Sequence, residues 1–514
     1  MRRNFRYLLF TLSSIVLFLT GTKDANAYDI VVENADGINV YYNFINNETE
    51  LEVTSYERMK RTERVGNFII DYKYYNRDGI EKEVTEESTR PPYIGNVTIP
   101  EYVTVKDRVL KVKSIGRGAF IDCPNLSVVS IPNSVTHIGT GAFSFSGLTY
   151  IKIPKSVISI DSNAFSGCRR LHTIIVDDDN RVYDSRNNCN AIIETSSGRL
   201  VVGCMGTVIP DGVKAIGNDA FSGCDCTSIS IPNSVKTIEQ SAFSGCNSLT
   251  SISIPNSVDS ISRYCFSNCS KLATVNIPDN VTSIGASAFS NCQALDSVVI
   301  PKGVRIIEDG TFSGCRTLSS VLIPQSVTAI GECAFARCSG LTSINIPRGV
   351  TSIKMGAFAD CHRLKEVVIP KSVTSIGMIA FQGCGSLTSI AIPDGVISIE
   401  ERAFERCYRL VSVTIPNSVM TIGEGVFQNC WQLSTITIGK GVKSIGKAAF
   451  DCENLSTIMS LIKNPSAIGG EESISWPFHS NAAQKAVLLV PFGTKGKYKK
   501  TEGWKDFLNI KESK

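Results

Sequence analysis

A 23-residue phrase that recurs without insertion constrains this chain more than any other feature. IPNSVKTIEQSAFSGCNSLTSIS is followed directly by IPNSVDSISRYCFSNCSKLATVN and IPDNVTSIGASAFSNCQALDSVV, and Pro232, Pro255, Pro278, Pro301, Pro324, Pro347, Pro370, Pro393 and Pro416 are each 23 residues apart. A unit that short cannot enclose a core. Val258, Ile261, Phe266, Cys269, Leu272, Val275 and Ile277 are therefore expected to be buried by the matching residues of neighbouring coils. Alternation at Val275-Asn276-Ile277 and from Val281 to Ile284 reads as two short strands per coil, while GASAFSNC has room only for a tight helical or 3₁₀ turn. The expected fold is a β-rich repeat solenoid whose parallel strands stack at about 4.8 Å.

The flanks read differently. Residues 1–27 join Arg2, Arg3 and Arg6 to an apolar run and end in Ala25-Asn26-Ala27, the pattern of a secretory signal peptide cleaved near Ala27. Removing them leaves 48 Lys and Arg against 47 Asp and Glu, a nearly neutral chain without the basic stripe expected of a nucleic-acid binder. No later apolar stretch is long enough to span a membrane. Residues 28–95, rich in Tyr, Glu and Asn, are expected to form a small β cap. The solenoid is then expected over 96–455, with a hairpin insert at 172–208, and a capping segment over 456–514 in which Trp504, Phe507 and Ile510 close the last coil.

Of the 18 cysteines, twelve fall three residues after the repeat phenylalanine, from Cys123 to Cys430, with Ser146 in the same slot of one coil. One register kept over so many coils reads as a buried ladder of thiols; disulfides between neighbouring coils are the alternative. Cys189 and Cys204 stand apart. A two-residue loop at Ser196-Ser197 would place them opposite each other across a hairpin, where a disulfide or two buried thiols would fit.

The run IPxSVTSIGxxAFxGCxxLTSI, carried from about Pro132 to Phe450, resembles the BspA-like leucine-rich repeat family. NRVYDSRNNCNAIIETSSGRLVVGC (180–204) resembles the insert of those proteins, and LLVPFGTKGKYKKTEGWKDFLNI (488–510) their closing segment. The resemblance implies a non-enzymatic, exported cell-surface or secreted protein that adheres to host matrix, cells or other bacteria, or takes part in immune recognition.

A search for chemistry finds little. The four histidines, His137, His172, His362 and His479, are scattered along the chain. GTKGK at 493–497 lacks the glycine and Ser/Thr of a phosphate loop, where Pro491 and Tyr498 stand. Asp177, Asp178, Asp179 and Asp184 offer oxygens to calcium, but without the glycine and distal glutamate of a loop site they read as a solvated turn. No cofactor, metal or catalytic residue is expected.

Two departures from a polar surface are candidates for binding. Asn276, Val299, Leu322, Asn345 and Val368 share a slot, which sets Val299 beside Leu322; exposure to a partner and cover by end loops are both open. Just after the cysteine ladder, Arg316, Ser339, His362, Gly385, Tyr408 and Trp431 share another. Tyr408 and Trp431 would then be neighbours, with Arg363 and Arg409 beside them, as an interface anchor or as cover for the array's end. The expected partners are extracellular proteins or glycans, with self-association in an envelope assembly as the alternative.

Overall fold

A computed structural model describes residues 28–55, 61–65, 68–72, 93–465, 476–479 and 481–513. The expected signal peptide at 1–27, much of the expected cap at 28–95 and part of the closing segment lie outside the described residues. The chain divides into two compact units, residues 1–226 and 227–514.

In the first unit, Ile30–Glu33, Asn39–Ile45 and Glu50–Thr54 form an antiparallel sheet. Its last strand lies parallel to Arg108–Ile115, which leads into His137–Ile138 and Ser159–Ile160. A second parallel ladder runs through Gly95–Thr98, Leu126–Ser130, Tyr150–Ile153 and Thr173–Val176. The insert does not hang outside this array. Ala191–Glu194 and Arg199–Gly203 form an antiparallel hairpin, and its second strand pairs in parallel with Ala215–Ile216, so the insert takes a place in the ladder.

That hairpin also bears on the two readings of Cys189 and Cys204. Glu194 faces Arg199 and Ile193 faces Leu200, as a loop centred on Ser196-Ser197 requires. A bulge between Ile192 and Ile193 then slips the register, so Ala191 faces Gly203. Cys204 is thereby set against Asn190, to whose carbonyl its thiol donates at 3.4 Å. Cys189 and Cys204 are both buried free thiols, as are all the cysteines except the half-exposed thiol of Cys333.

The second unit is built by repetition. In most coils a three- or four-residue strand such as Ser297–Val299 is followed by a two-residue strand such as Ile306–Ile307, and these two lie parallel to their counterparts 23 residues on. The tight segment after them carries 3₁₀-type hydrogen bonds, as from the Ala288, Ser290 and Cys292 N–H groups to carbonyls three residues back. Left-handed residues at Ser287 (φ 54°) and Asn291 (φ 58°) interrupt any helix. They turn the alternate N–H groups of Ser287, Phe289 and Asn291 outward to the carbonyls of Asp309, Thr311 and Ser313 in the next coil. Thus the turn satisfies its own backbone and adds a third side of hydrogen bonds to the stack. The second left-handed position is held by Asn268, Asn291, Gly314, Arg337, Asp360, Gly383, Arg406 and Asn429 in successive repeats; Asn, Asp and Gly tolerate this conformation, and the two arginines adopt it as well.

The core is a column of rings. From Phe243 through Phe266, Phe289, Phe312, Phe335, Phe358, Phe381, Phe404 and Phe427 to Phe450, consecutive centroids lie 5.3 to 5.8 Å apart with planes within 13° of parallel. Beside it runs the thiol ladder. The Cys292 thiol donates to the Phe266 carbonyl at 3.1 Å, Cys315 to Phe289 at 3.1 Å and Cys338 to Phe312 at 3.2 Å, and the pattern continues to Cys430. Cysteine suits this slot because it fills apolar space while its weak donor reaches a carbonyl of the preceding coil. Burial pushes the thiols up, those of Cys315 and Cys361 to about 12.

Val275 and Ile277, expected in the core, are only half-buried. Thr274–Asn276 pairs with Ser251–Ser253 in a two-stranded sheet, and no ladder joins it to Ser297–Val299 of the next coil, where the Asp296 N–H reaches the Ala273 carbonyl at 3.3 Å. At the end of the chain Trp504, Phe507 and Ile510 are buried; Phe478 packs on Phe450, with Trp504 and Phe507 around it.

Candidate binding face

The corner of each coil between the turn segment and the first strand is set by the leucine after the ladder, such as Leu410 or Leu433, which is buried and turns the two preceding side chains outward. In the second unit this corner assembles the expected aromatic pair. The rings of Tyr408 and Trp431 lie 4.5 Å apart at 31°. Tyr408 is half-buried, while Trp431 keeps 55 % of its surface in solvent. Gly385 makes the arrangement possible, because a Cβ there would stand 3.0 Å from Tyr408 Cδ2. The tyrosine ring therefore lies back over the preceding coil, and the tryptophan stacks on it; on the other side the Asn454 side chain of the next coil donates to the Trp431 carbonyl at 2.7 Å. One coil earlier still, His362 donates from Nδ1 to the Gly383 carbonyl at 2.9 Å.

Arg363 and Arg409 are exposed at the adjoining register. Arg316, at the start of the row, and Arg337, two positions before it in the following coil, are exposed as well. Among the described residues none of these four has a carboxylate within ion-pair distance. Arg406 is different, since it pairs with Glu405 at 3.3 Å, and the buried Glu405 also meets Arg402 and accepts from Gln382. Sequence reading overlooked Arg337 and Arg406. Their left-handed slot lies two residues before the aromatic row, and a comparison of that slot across coils would have found them.

The aliphatic candidates are also exposed. Val299 lies directly beside Leu322 in the strand ladder, with 63 % and 65 % of their surfaces in solvent, and Val368 beyond Asn345 has 69 %. Ser297, Ser320 and Ser343 occupy the other outward positions of the same strands. Among the described residues of this unit none covers them.

In the first unit the insert shapes a cleft of about 650 Å³ between Thr173–Val176 and the segment from Tyr183 to Asn190. The carboxylates once weighed for calcium are engaged at its rim: Asp177 with Lys152 at 3.1 Å, Asp179 with Lys155 at 3.7 Å and Asp184 with Arg186 at 2.6 Å. Lys152 holds the Asp177 carboxyl below its ordinary range. Among the described residues no group of three or more His, Cys, Asp or Glu side chains is placed to hold a metal ion. The four histidines share no site: His137 and His172 stand in the first unit, and in the second His362 caps a turn while His479 accepts from the Asn481 N–H. No described helix is long and apolar enough to cross a membrane.

Parallel strands, a 22- or 23-residue coil and a buried Leu, Phe and Cys ladder define a leucine-rich repeat protein. The model of the BspA-type leucine-rich repeat region matches residues 99–194, 205–319, 260–386 and 374–471, and the chain belongs to that family. Among solved structures it is similar to a leucine-rich repeat protein of Bacteroides ovatus (28 % identity, covering 82 % of this chain and 92 % of that one, TM-score 0.46). It is also similar to a leucine-rich cell-surface protein of Faecalibacterium prausnitzii (23 % identity, 84 % and 95 % covered, TM-score 0.42) and to the pneumococcal vaccine antigen PcpA (16 % identity, 95 % and 99 % covered, TM-score 0.39). No curated protein matches the sequence.

Proposed function

We propose that this chain is an exported, non-enzymatic repeat protein that holds an extracellular macromolecule, protein or glycan, on the outward side of its second unit. One observation carries the reading: a tryptophan more than half exposed, stacked on a tyrosine over a glycine, stands near a row holding Arg363 and Arg409, which have no carboxylate within ion-pair distance among the described residues. Aromatic and Arg side chains supply most anchors of protein recognition, and here the backbone beneath them is held by hydrogen bonds from both neighbouring coils. Such a surface binds with little ordering cost.

The test is a surface-plasmon-resonance screen of the purified chain against matrix proteins, host-cell membranes and a glycan panel. A saturable partner whose affinity falls at least tenfold in Tyr408→Ala and Trp431→Ala, with the circular dichroism spectrum unchanged, supports the assignment. Equal affinity in both variants removes this corner from the binding role.

The contiguous Val299 and Leu322 pair, with Val368 nearby, favours a second reading, in which copies of the chain pack through this stripe in an envelope assembly. Sedimentation velocity over a hundredfold concentration range decides it: association abolished by Val299→Asp with Leu322→Asp supports the assembly, and a monomer throughout dismisses it.

A further inference from the structure

We propose that the Trp431 corner is a site for an acidic saccharide, one bearing carboxylate or sulfate groups; this rests on the binding role assigned to that corner above. The outer face of Trp431 is flat, apolar and held in place by Tyr408 beneath it. The electron-rich face of an aromatic ring attracts the polarised C–H groups on one side of a sugar ring, whereas a peptide would more naturally bury the tryptophan in a pocket. More than half of the tryptophan's surface lies in solvent.

Toward the preceding coils the exposed charge of the row is mainly basic, whereas Glu453 stands exposed in the coil after Trp431. Arg363 and Arg409 share a register two coils apart, roughly 10 Å at the strand spacing. Arg316 and Arg337 extend the row further back along the array. A guanidinium fork matches a carboxylate or sulfate with two parallel hydrogen bonds, and these four forks have no such partner among the described side chains. Within these registers the carboxylates are Asp360, Glu405, Asp451 and Glu453; Glu405 is engaged by Arg402, Arg406 and Gln382, Asp451 accepts from Gln428, and Glu453 lies in the coil beyond Trp431. A linear ligand laid across the coils would thus seat one ring on Trp431 and present anionic groups to Arg409 and Arg363 in turn.

The regular coil spacing sets this recognition apart from a diffuse basic surface. The chain as a whole is close to neutral, so general attraction to polyanions is weak, and the effect has to come from the local row.

The experiment is titration of the purified chain with a heparin octasaccharide, monitored by isothermal titration calorimetry and repeated at 50 and 300 mM salt. The proposal expects saturable binding that weakens with salt. It also expects affinity at least tenfold lower in Arg363→Ala with Arg409→Ala, a similar loss in Trp431→Ala, and no change in Arg305→Ala with Arg348→Ala, a pair exposed elsewhere on the same unit. No binding, equal loss in the control pair, or equal affinity for polyglutamate or a single-stranded oligonucleotide would overturn it. A neutral oligosaccharide or a protein that binds through Trp431 but ignores Arg363 and Arg409 would overturn the acidic-saccharide class and leave the binding corner intact. Absence of any Trp431-dependent partner would sink both.

Discussion

Raising the pH should dismantle the stack through its thiols, in a way that counts protons. Cys315 and Cys361 have no exposed surface, and burial pushes each thiol from 9.0 to about 12. The folded chain therefore keeps these protons where the unfolded chain releases them. Their contribution to stability is complete below pH 9 and is lost as pH rises toward 12, at about 1.4 kcal/mol per pH unit for each thiol. Between pH 8 and pH 10.5 the two together should cost roughly 4 kcal/mol. Urea denaturation followed by far-ultraviolet circular dichroism, in reductant, would be run across that range on the native chain and on Cys315→Ala with Cys361→Ala. Other groups titrate in both proteins, so the difference between the two slopes isolates the pair: the native chain should lose stability faster by close to 3 kcal/mol per pH unit above pH 9. Parallel slopes would refute the claim that the ladder is made of protonated, solvent-free thiols.

Phe335→Ala removes a ring stacked between Phe312 and Phe358 and should cost about 3 to 5 kcal/mol, measured as a loss of denaturation free energy; less than 1 kcal/mol would mean the column is not the core. Gly385→Val should push the Tyr408 ring off its seat and weaken any Trp431-dependent ligand at least as much as Tyr408→Ala, with the melting temperature nearly unchanged. Among the cysteines of the folded chain, Cys333 should react first with a thiol reagent, since it alone is half-exposed; mass spectrometry after brief labelling reads the order directly.

What the sequence determined by itself is whatever follows from a strict period. Once the repeat is 23 residues long, residues 23 apart are neighbours in space. The phenylalanine column, the thiol ladder, the adjacency of Val299 to Leu322 and the meeting of Tyr408 with Trp431 were therefore all legible. The closing role of Trp504, Phe507 and Ile510 was legible too, because an array of stacked coils has to cover its last apolar face. Tertiary structure decided whatever breaks or crosses the period. The bulge between Ile192 and Ile193 moves Cys204 opposite Asn190, and a register slip of one residue leaves no trace in a pattern of side-chain types. The strand from Arg199 to Gly203 enters the ladder because its free edge finds backbone partners in Ala215 and Ile216, a choice made by hydrogen bonding rather than by side chains. Whether an arginine lacks a carboxylate partner among the described residues, as Arg363 and Arg409 do, or is spent on a buried carboxylate, as Arg406 is on Glu405, depends on the rotamers of residues in different slots. The repeat specifies which residues stack along a row; only the folded chain shows how neighbouring rows meet, and the candidate site lies where two of them do.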